Sequence, residues 1–243
     1  MRTYFDIVYG REKLDIYLPD GEFKSVFLYF HGGGLEAGDK RQIQYFPEEL
    51  LKSGIALVSA NYAMYPAAKY PEFIEDAAEA VSWVKANLLE HSTKGKLFVG
   101  GSSAGGYLSQ MLCFAPEYLG KYGILPTDIT GFIFDAGQPT VHYNVLRERG
   151  LNTARLIADE AAPVFHVGRG KCPPVLIIVS DNDMPGRYEQ TMALVATMKS
   201  FALDYELTVR HGKHCGYVNT CNEEGKSCFA EIIKPFIEKR TED

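Results

Sequence analysis

Apolar runs of strand length alternate along the chain with segments in which apolar residues recur at helical spacing. The runs Val26–Phe30 and Pro173–Ser180 are almost continuously apolar, which is typical of strands buried on both faces of a parallel sheet. Between them, Ala77–Leu88 carries apolar residues at the spacing of one helix face. This alternation predicts an α/β fold, a mostly parallel twisted sheet flanked by helices.

Both ends of the chain fit the same architecture. Two strand-like segments near Phe5–Tyr9 and Lys13–Leu18 are joined by a short turn, and they predict an antiparallel hairpin at the N-terminal edge of the sheet. The pattern around Phe229–Ile237 predicts a closing helix. Because no linker or repeat interrupts the chain, residues 1–243 are expected to form a single domain.

One connection is long. Residues 138–168 lie between two predicted core strands, whereas connections of about 4–6 residues are the norm. Within this segment, Asn144–Arg149 and Thr153–Ile157 are both compatible with helix. We expect a small lid-like insertion, because the preceding strand ends at the edge of the sheet where sites form. The alternative is a pair of surface helices that only close the domain.

The segment Gly101-Ser102-Ser103-Ala104-Gly105 places a serine at the centre of Gly-x-Ser-x-Gly, between an apolar strand and a helical pattern. So sharp a turn strains the central residue and leaves no room for side chains two positions away on either side. It exposes the Ser103 hydroxyl, and it directs the backbone N–H of Ala104 towards an oxyanion. Taken without the rest of the sequence, this motif could equally form a phosphate-binding turn.

A second glycine tract, His31-Gly32-Gly33-Gly34, follows the apolar run that ends at Phe30. Glycines let backbone N–H groups approach a ligand closely. The N–H groups of Gly33 and Gly34 are therefore candidates for the remaining donors of an oxyanion hole.

A serine nucleophile needs a histidine base and a carboxylate that orients it. Asp181 and Asp183 follow one predicted strand, and His211 and His214 follow the next. Asp135, at the end of an earlier strand, is a third candidate acid. The residues alone leave these alternatives open.

Taken together, these motifs resemble the α/β-hydrolase superfamily, and within it the small carboxylesterases related to the hormone-sensitive-lipase and acetyl-esterase groups. The resemblance covers nearly the whole chain. It implies Ser103 as nucleophile, Asp183 as acid and His214 as base, with an oxyanion hole formed by Gly33, Gly34 and Ala104. Asp183 ends a Ser-x-x-Asp segment similar to the family's Gly-x-x-Asp, and His214 precedes Gly216-Tyr217 with Cys215 inserted.

The chain departs from that family at two points. Its relatives usually carry an acidic residue where Ser102 stands, and they have an N-terminal cap for which this chain has no room. The resemblance implies a serine carboxylesterase for short-chain acyl esters, acetyl esters of sugars among them, that needs no cofactor. Residues expected to bind substrate are Leu35, Tyr62, Tyr107, Tyr143 and Tyr217.

Two other functions compete with this interpretation. An arylformamidase-like amide hydrolase uses the same triad, so the motifs do not separate it from an esterase. A non-catalytic ligand receptor can also have this fold, but such receptors usually lack the triad histidine, and both His211 and His214 are present.

Composition and charge narrow the choice of partners. The chain is 46% hydrophobic and carries a net charge of −6, so it has no basic footprint for nucleic acid. No apolar run approaches the roughly 20 residues of a membrane span. Because Met1–Asp6 shows no signal-peptide pattern, a cytoplasmic location is expected. The oligomeric state is left open.

The five cysteines form an odd set that favours reduced thiols over a disulfide framework. Cys215, Cys221 and Cys228 lie near the candidate histidines, but none of their spacings is the short kind typical of zinc sites. We therefore expect no metal site. Cys215, beside the candidate base, is a candidate for redox sensitivity.

Overall fold

An eight-stranded sheet forms the centre of the protein, for which a computed structural model describes all 243 residues. The strands are β1 Arg2–Tyr9, β2 Glu12–Leu18, β3 Phe23–Phe30, β4 Ile55–Ala60, β5 Ser92–Ser102, β6 Gly131–Asp135, β7 Val175–Ser180 and β8 Tyr205–Arg210. Their order across the sheet is β1-β2-β4-β3-β5-β6-β7-β8. β1 pairs antiparallel with β2 and β2 with β4, and every other pair is parallel. The predicted fold class and edge hairpin are confirmed.

Eight α-helices surround the sheet. They are α1 Phe46–Lys52, α2 Glu72–Asn87, α3 Ala104–Phe114, α4 Pro116–Gly120, α5 Tyr143–Glu148, α6 Pro163–His166, α7 Arg187–Ser200 and α8 Cys228–Glu242. No helix combines the length and apolar character that crossing a lipid bilayer requires.

Alternate residues of the central strands pack into two apolar layers. In β3, Val26, Leu28 and Phe30 face a layer that contains α2 and α3, while Phe27 and Tyr29 face a layer that contains α1 and α8. Successive side chains of a strand point to opposite faces, so a strand between two helix layers must be apolar at every position. This is why the buried strands show as unbroken apolar runs in the sequence.

The segment 138–168 forms the short helices α5 and α6, with irregular chain between them. The helix considered for Thr153–Ile157 does not form. Instead, the Asn152 side chain accepts the Ala154 N–H at 2.9 Å, a local turn that competes with helix. The segment is also anchored: Asn144 Nδ2 donates to the Gly34 carbonyl at 2.9 Å.

Candidate active site

The turn between β5 and α3 places Ser103 in a conformation that few residues adopt, with φ 56° and ψ −110°. The neighbouring glycines are sterically required. A Cβ on Gly105 would lie 1.9 Å from the Phe30 carbonyl oxygen, and one on Gly101 would lie 2.5 Å from the same atom. The expectation that positions 101 and 105 admit no side chain is therefore confirmed, and β3 is the element that excludes one.

The structure brings Ser103, His214 and Asp183 into one hydrogen-bonded chain. Ser103 Oγ lies 2.8 Å from His214 Nε2, and His214 Nδ1 lies 2.5 Å from Asp183 Oδ1. Asp183 comes from the loop after β7 and His214 from the loop after β8. Because parallel strands end at the same edge of the sheet, residues far apart in sequence meet there.

The electrostatics of Asp183 suit a carboxylate that stays ionised beside a histidine. Its side chain is fully buried, and burial by itself raises the pKa. The hydrogen bond and charge of His214, together with the Met184 N–H, outweigh burial and hold the pKa of Asp183 below its ordinary value.

A second histidine–aspartate pair stands beside this chain without contacting Ser103. His211 Nδ1 lies 2.8 Å from Asp181 Oδ2, and the His211 side chain is 96% exposed, against 21% for His214. Of the alternatives that the sequence left open, the structure brings His214 and Asp183 to Ser103, and it leaves His211 and Asp181 on the surface.

The glycine tract runs against the serine turn. A Cβ on Gly32 would lie 3.3 Å from the Ser103 Cβ. Gly33 and Gly34 have φ values of 119° and 66°, which favour glycine. Their N–H groups donate to no acceptor within the protein, and the N–H of Ala104 lies in the first turn of α3, where helical donors have no partner in the helix.

His31 holds this tract in place. Its Nδ1–H donates to the Gly32 carbonyl at 2.6 Å, and its ring stacks on Tyr62 at 4.6 Å between centroids. Tyr62 in turn donates to the His31 carbonyl at 2.9 Å. Burial lowers the pKa of His31, so the ring is neutral at neutral pH and serves as a fixed donor.

The cleft that contains Ser103 and His214 has a volume of about 230 Å³. Its lining residues are Tyr29, Gly32, Gly33, Gln42, Ser102, Ser103, His214, Cys215, Val218 and Asn219. Sequence reasoning missed Tyr29, Gln42, Val218 and Asn219 as site residues. Gln42 and Asn219 lie in irregular loops with no periodic pattern, so the sequence held no signal for them.

None of the five residues expected to bind substrate lines this cleft. Leu35, Tyr62 and Tyr107 are buried in the apolar core, and Tyr107 donates to the Ala161 carbonyl at 2.9 Å. Tyr217 is buried and donates to Asp135. Tyr143 is half-buried, and a Cβ added to Gly34 would lie 1.9 Å from its hydroxyl oxygen. The hydroxyl groups of Tyr62, Tyr107 and Tyr217 therefore bond within the scaffold.

Cys215 is the cysteine nearest the reacting groups, with its Sγ 3.7 Å from His214 Nε2. All five cysteines are free. Burial raises the pKa of the Cys215 thiol well above its ordinary value, which makes it a poor thiolate nucleophile. No group of three or more His, Cys, Asp or Glu side chains is placed to hold a metal ion.

Comparison with known proteins agrees with the geometry. A truncated carbohydrate esterase from gut microbiota superposes with a TM-score of 0.79 at 18% identity, covering 100% of this chain and 97% of that one. At this identity the likeness shows the fold. The chain has the α/β-hydrolase fold. A family model described as BD-FAE matches residues 14–119 of this chain.

Curated relatives also match parts of this chain. Esterase LipI of Mycobacterium tuberculosis is 34% identical over 100 residues, which are 39% of this chain and 30% of that protein. Kynurenine formamidase of Danio rerio is 28% identical over 116 residues, 46% of this chain and 39% of that protein. The chain thus spans between 30% and 39% of the length of these two relatives.

Proposed function

We propose that the protein is a serine hydrolase that cleaves carboxylic esters with short acyl groups through an acyl-enzyme intermediate. The observation that carries this proposal is the continuous hydrogen-bonded chain from Ser103 through His214 to Asp183. The related esterases in other organisms support it.

In the proposed first step, His214 Nε2 takes the proton of Ser103 while Oγ attacks the ester carbonyl carbon. Asp183, which accepts the Nδ1–H, fixes the tautomer and stabilises the imidazolium that forms. The tetrahedral intermediate collapses when His214 returns the proton to the departing alcohol. A water molecule activated by His214 then hydrolyses the acyl group from Ser103.

The free N–H groups of Gly33, Gly34 and Ala104 are the proposed donors to the oxyanion. Such donors are effective because they are fixed before the reaction begins, and each contributes about 10²–10³ in rate. The stacked His31–Tyr62 pair and the anchor from Asn144 to Gly34 supply that rigidity.

The cleft favours small substrates with polar alcohol groups. Its volume of about 230 Å³ lies below the range of roughly 300–1,000 Å³ typical of sites for drug-sized ligands. The amide side chains of Gln42 and Asn219 offer both donors and acceptors. This combination supports a short acyl group, such as acetyl, on an alcohol rich in hydroxyl groups.

A second candidate function is hydrolysis of an aryl formamide, favoured by the partial likeness to kynurenine formamidase. The same triad serves both reactions, since only the leaving atom differs. Turnover of a phenyl acetate and an N-formyl aniline, measured side by side, separates them. A ratio of kcat/KM that favours the formamide would replace the ester proposal.

The decisive experiment is Ser103→Ala, tested for turnover of p-nitrophenyl acetate and for labelling by a fluorophosphonate. Both should fall to background, because the elbow exposes Ser103 and no other residue to attack. Ser109→Ala is the matched control: Ser109 is a buried serine of α3 that donates only to the Gly105 carbonyl. Labelling that survives in Ser103→Ala would contradict the assignment, and absence of both activities in the wild type would favour a ligand receptor.

A further inference from the structure

A buried carboxylate that the proposed mechanism does not use lies next to the turn that carries Ser103. Asp135 is the last residue of β6 and pairs in register with Ser102 of β5. Its backbone carbonyl accepts the Ser103 N–H at 2.7 Å. Its side chain is fully buried and forms no ion pair with lysine, arginine or histidine. Burying a carboxylate without a cationic partner lowers the stability of the fold, so the contacts of Asp135 need an explanation.

The Asp135 carboxylate joins the two loops that must meet for catalysis. One oxygen accepts a hydrogen bond from Ser102 Oγ, beside the nucleophile, and the other accepts one from the Tyr217 hydroxyl. Tyr29 completes the network by donating to Ser102 Oγ at 3.0 Å. Tyr217 stands three residues after His214, and its ring stacks on Phe229 of α8. The network therefore fixes the His214 loop relative to the elbow.

The charges around Asp135 give it a second means of action. The titratable groups that surround it are Tyr29 of β3, Asp183 after β7, and His214, Cys215 and Tyr217 of the last loop, while Arg187 of α7 donates to the neighbouring Ala136 carbonyl. Burial keeps the pKa of the two tyrosines and of the cysteine raised, so they stay neutral. His214 is the group in this set that gains a proton during the proposed reaction.

We propose that Asp135 is a positioning residue of this site, which holds the His214 loop through Tyr217 and whose negative charge favours the imidazolium form of His214. This inference rests on the proposed function, because it assumes that His214 is the base for Ser103. The carboxylate acts through its neighbours and does not touch the substrate. Burial raises the pKa of Asp135 to about 6, against the hydrogen bonds from Ser102 and Tyr217, so the group is ionised at neutral pH.

The test compares Asp135→Asn with Tyr217→Phe. Asp135→Asn removes the charge, and we expect kcat to fall about tenfold with KM nearly unchanged, because the interaction strengthens only as His214 gains its proton. The acid limb of kcat/KM should move to lower pH by roughly 0.5 unit. Tyr217→Phe keeps the charge but loosens the loop, so kcat should fall by about threefold or more without that downward movement of the acid limb.

Tyr118→Phe is the matched control. Tyr118 is as buried as Tyr217, and its hydroxyl meets Tyr70, outside the site. Active sites are counted by fluorophosphonate titration, so that misfolded protein does not enter kcat. Wild-type kcat and acid limb in Asp135→Asn would overturn the inference. If that variant does not fold, wild-type kcat in Tyr217→Phe overturns it instead.

The rate of fluorophosphonate labelling against pH gives a readout independent of the substrate. It measures how well His214 activates Ser103, even if the natural substrate is not an ester. A wild-type protein that is labelled but does not turn over esters would therefore contradict the proposed function and still test Asp135. We expect slower labelling in Asp135→Asn than in Tyr118→Phe, and equal rates would count against the positioning role.

Discussion

Asp135 shows how a single residue can set stability against function. A neutral carboxyl group is favoured at this site, because burial raises its pKa from an ordinary value of 3.8 to about 6. The protein nevertheless places it where it is ionised at neutral pH, between the loops that carry the reacting groups. A charge retained at the expense of folding stability is expected where the charge serves activity.

This conflict predicts how stability depends on pH. Between about pH 4 and pH 6 the native state holds a proton on Asp135 that the unfolded chain has lost, so this group makes the protein less stable as pH rises through that window. The difference between the two pKa values corresponds to a loss of roughly 3 kcal/mol in unfolding free energy. Asparagine does not titrate, so the Asp135→Asn variant lacks this loss. The unfolding free energy of Asp135→Asn minus that of the wild type should therefore rise by about that amount between pH 4 and pH 7. Urea unfolding at several pH values measures the difference, and parallel stability curves would contradict it.

The elbow depends on the close approach of β3 to the first turn of α3. Gly105→Ala places a methyl group 1.9 Å from the Phe30 carbonyl oxygen, so one of the two elements must move. We expect a loss of about 2–4 kcal/mol in unfolding free energy together with most of the activity. Thermal unfolding and turnover of p-nitrophenyl acetate measure the two effects.

Gly120→Ala is the control for that substitution. Gly120 ends α4, and nothing lies within 4 Å of an added Cβ. Its effect should stay within about 0.5 kcal/mol. If the two variants are equally stable, the contact between β3 and the elbow is looser than its geometry indicates.

Strands and turns could be predicted where residues close together in the sequence determine the conformation. The unbroken apolar runs of β3 and β7 identify strands covered on both faces, and Gly101 and Gly105 mark the elbow because no other residue fits there. The turn at Asn152 was missed, because a side chain that captures one backbone N–H decides between helix and loop.

The candidate site was less predictable than the fold. His211 and His214 both fit a loop after β8, and only the path of that loop decides which one faces Ser103. One hydrogen bond of the Asp135 network spans 82 positions of the sequence, a separation over which sequence patterns carry no signal. Tyr62 and Tyr107 were expected to bind substrate, but they belong to the core. An aromatic residue near a motif in the sequence need not lie in the site.

The size of the cleft predicts a preference for short acyl chains. Each methylene buried adds about 0.8 kcal/mol, but a cleft of about 230 Å³ leaves long chains in water. For p-nitrophenyl esters, which share one leaving group, kcat/KM should peak at about two to four acyl carbons and fall by roughly tenfold at octanoyl. A rise that continues through octanoyl would point to a deeper acyl tunnel.

The unequal exposure of the histidine rings also sets an order of chemical reactivity. His91 and His211 are largely exposed, with side chains 64% and 96% accessible, whereas His214 is 21% accessible. Diethyl pyrocarbonate acylates histidine rings that solvent can reach. Titration with this reagent should therefore consume the exposed rings first and leave the proposed esterase activity intact, with inactivation following only when His214 reacts. Loss of that activity with the first modified ring would instead assign the base to His211.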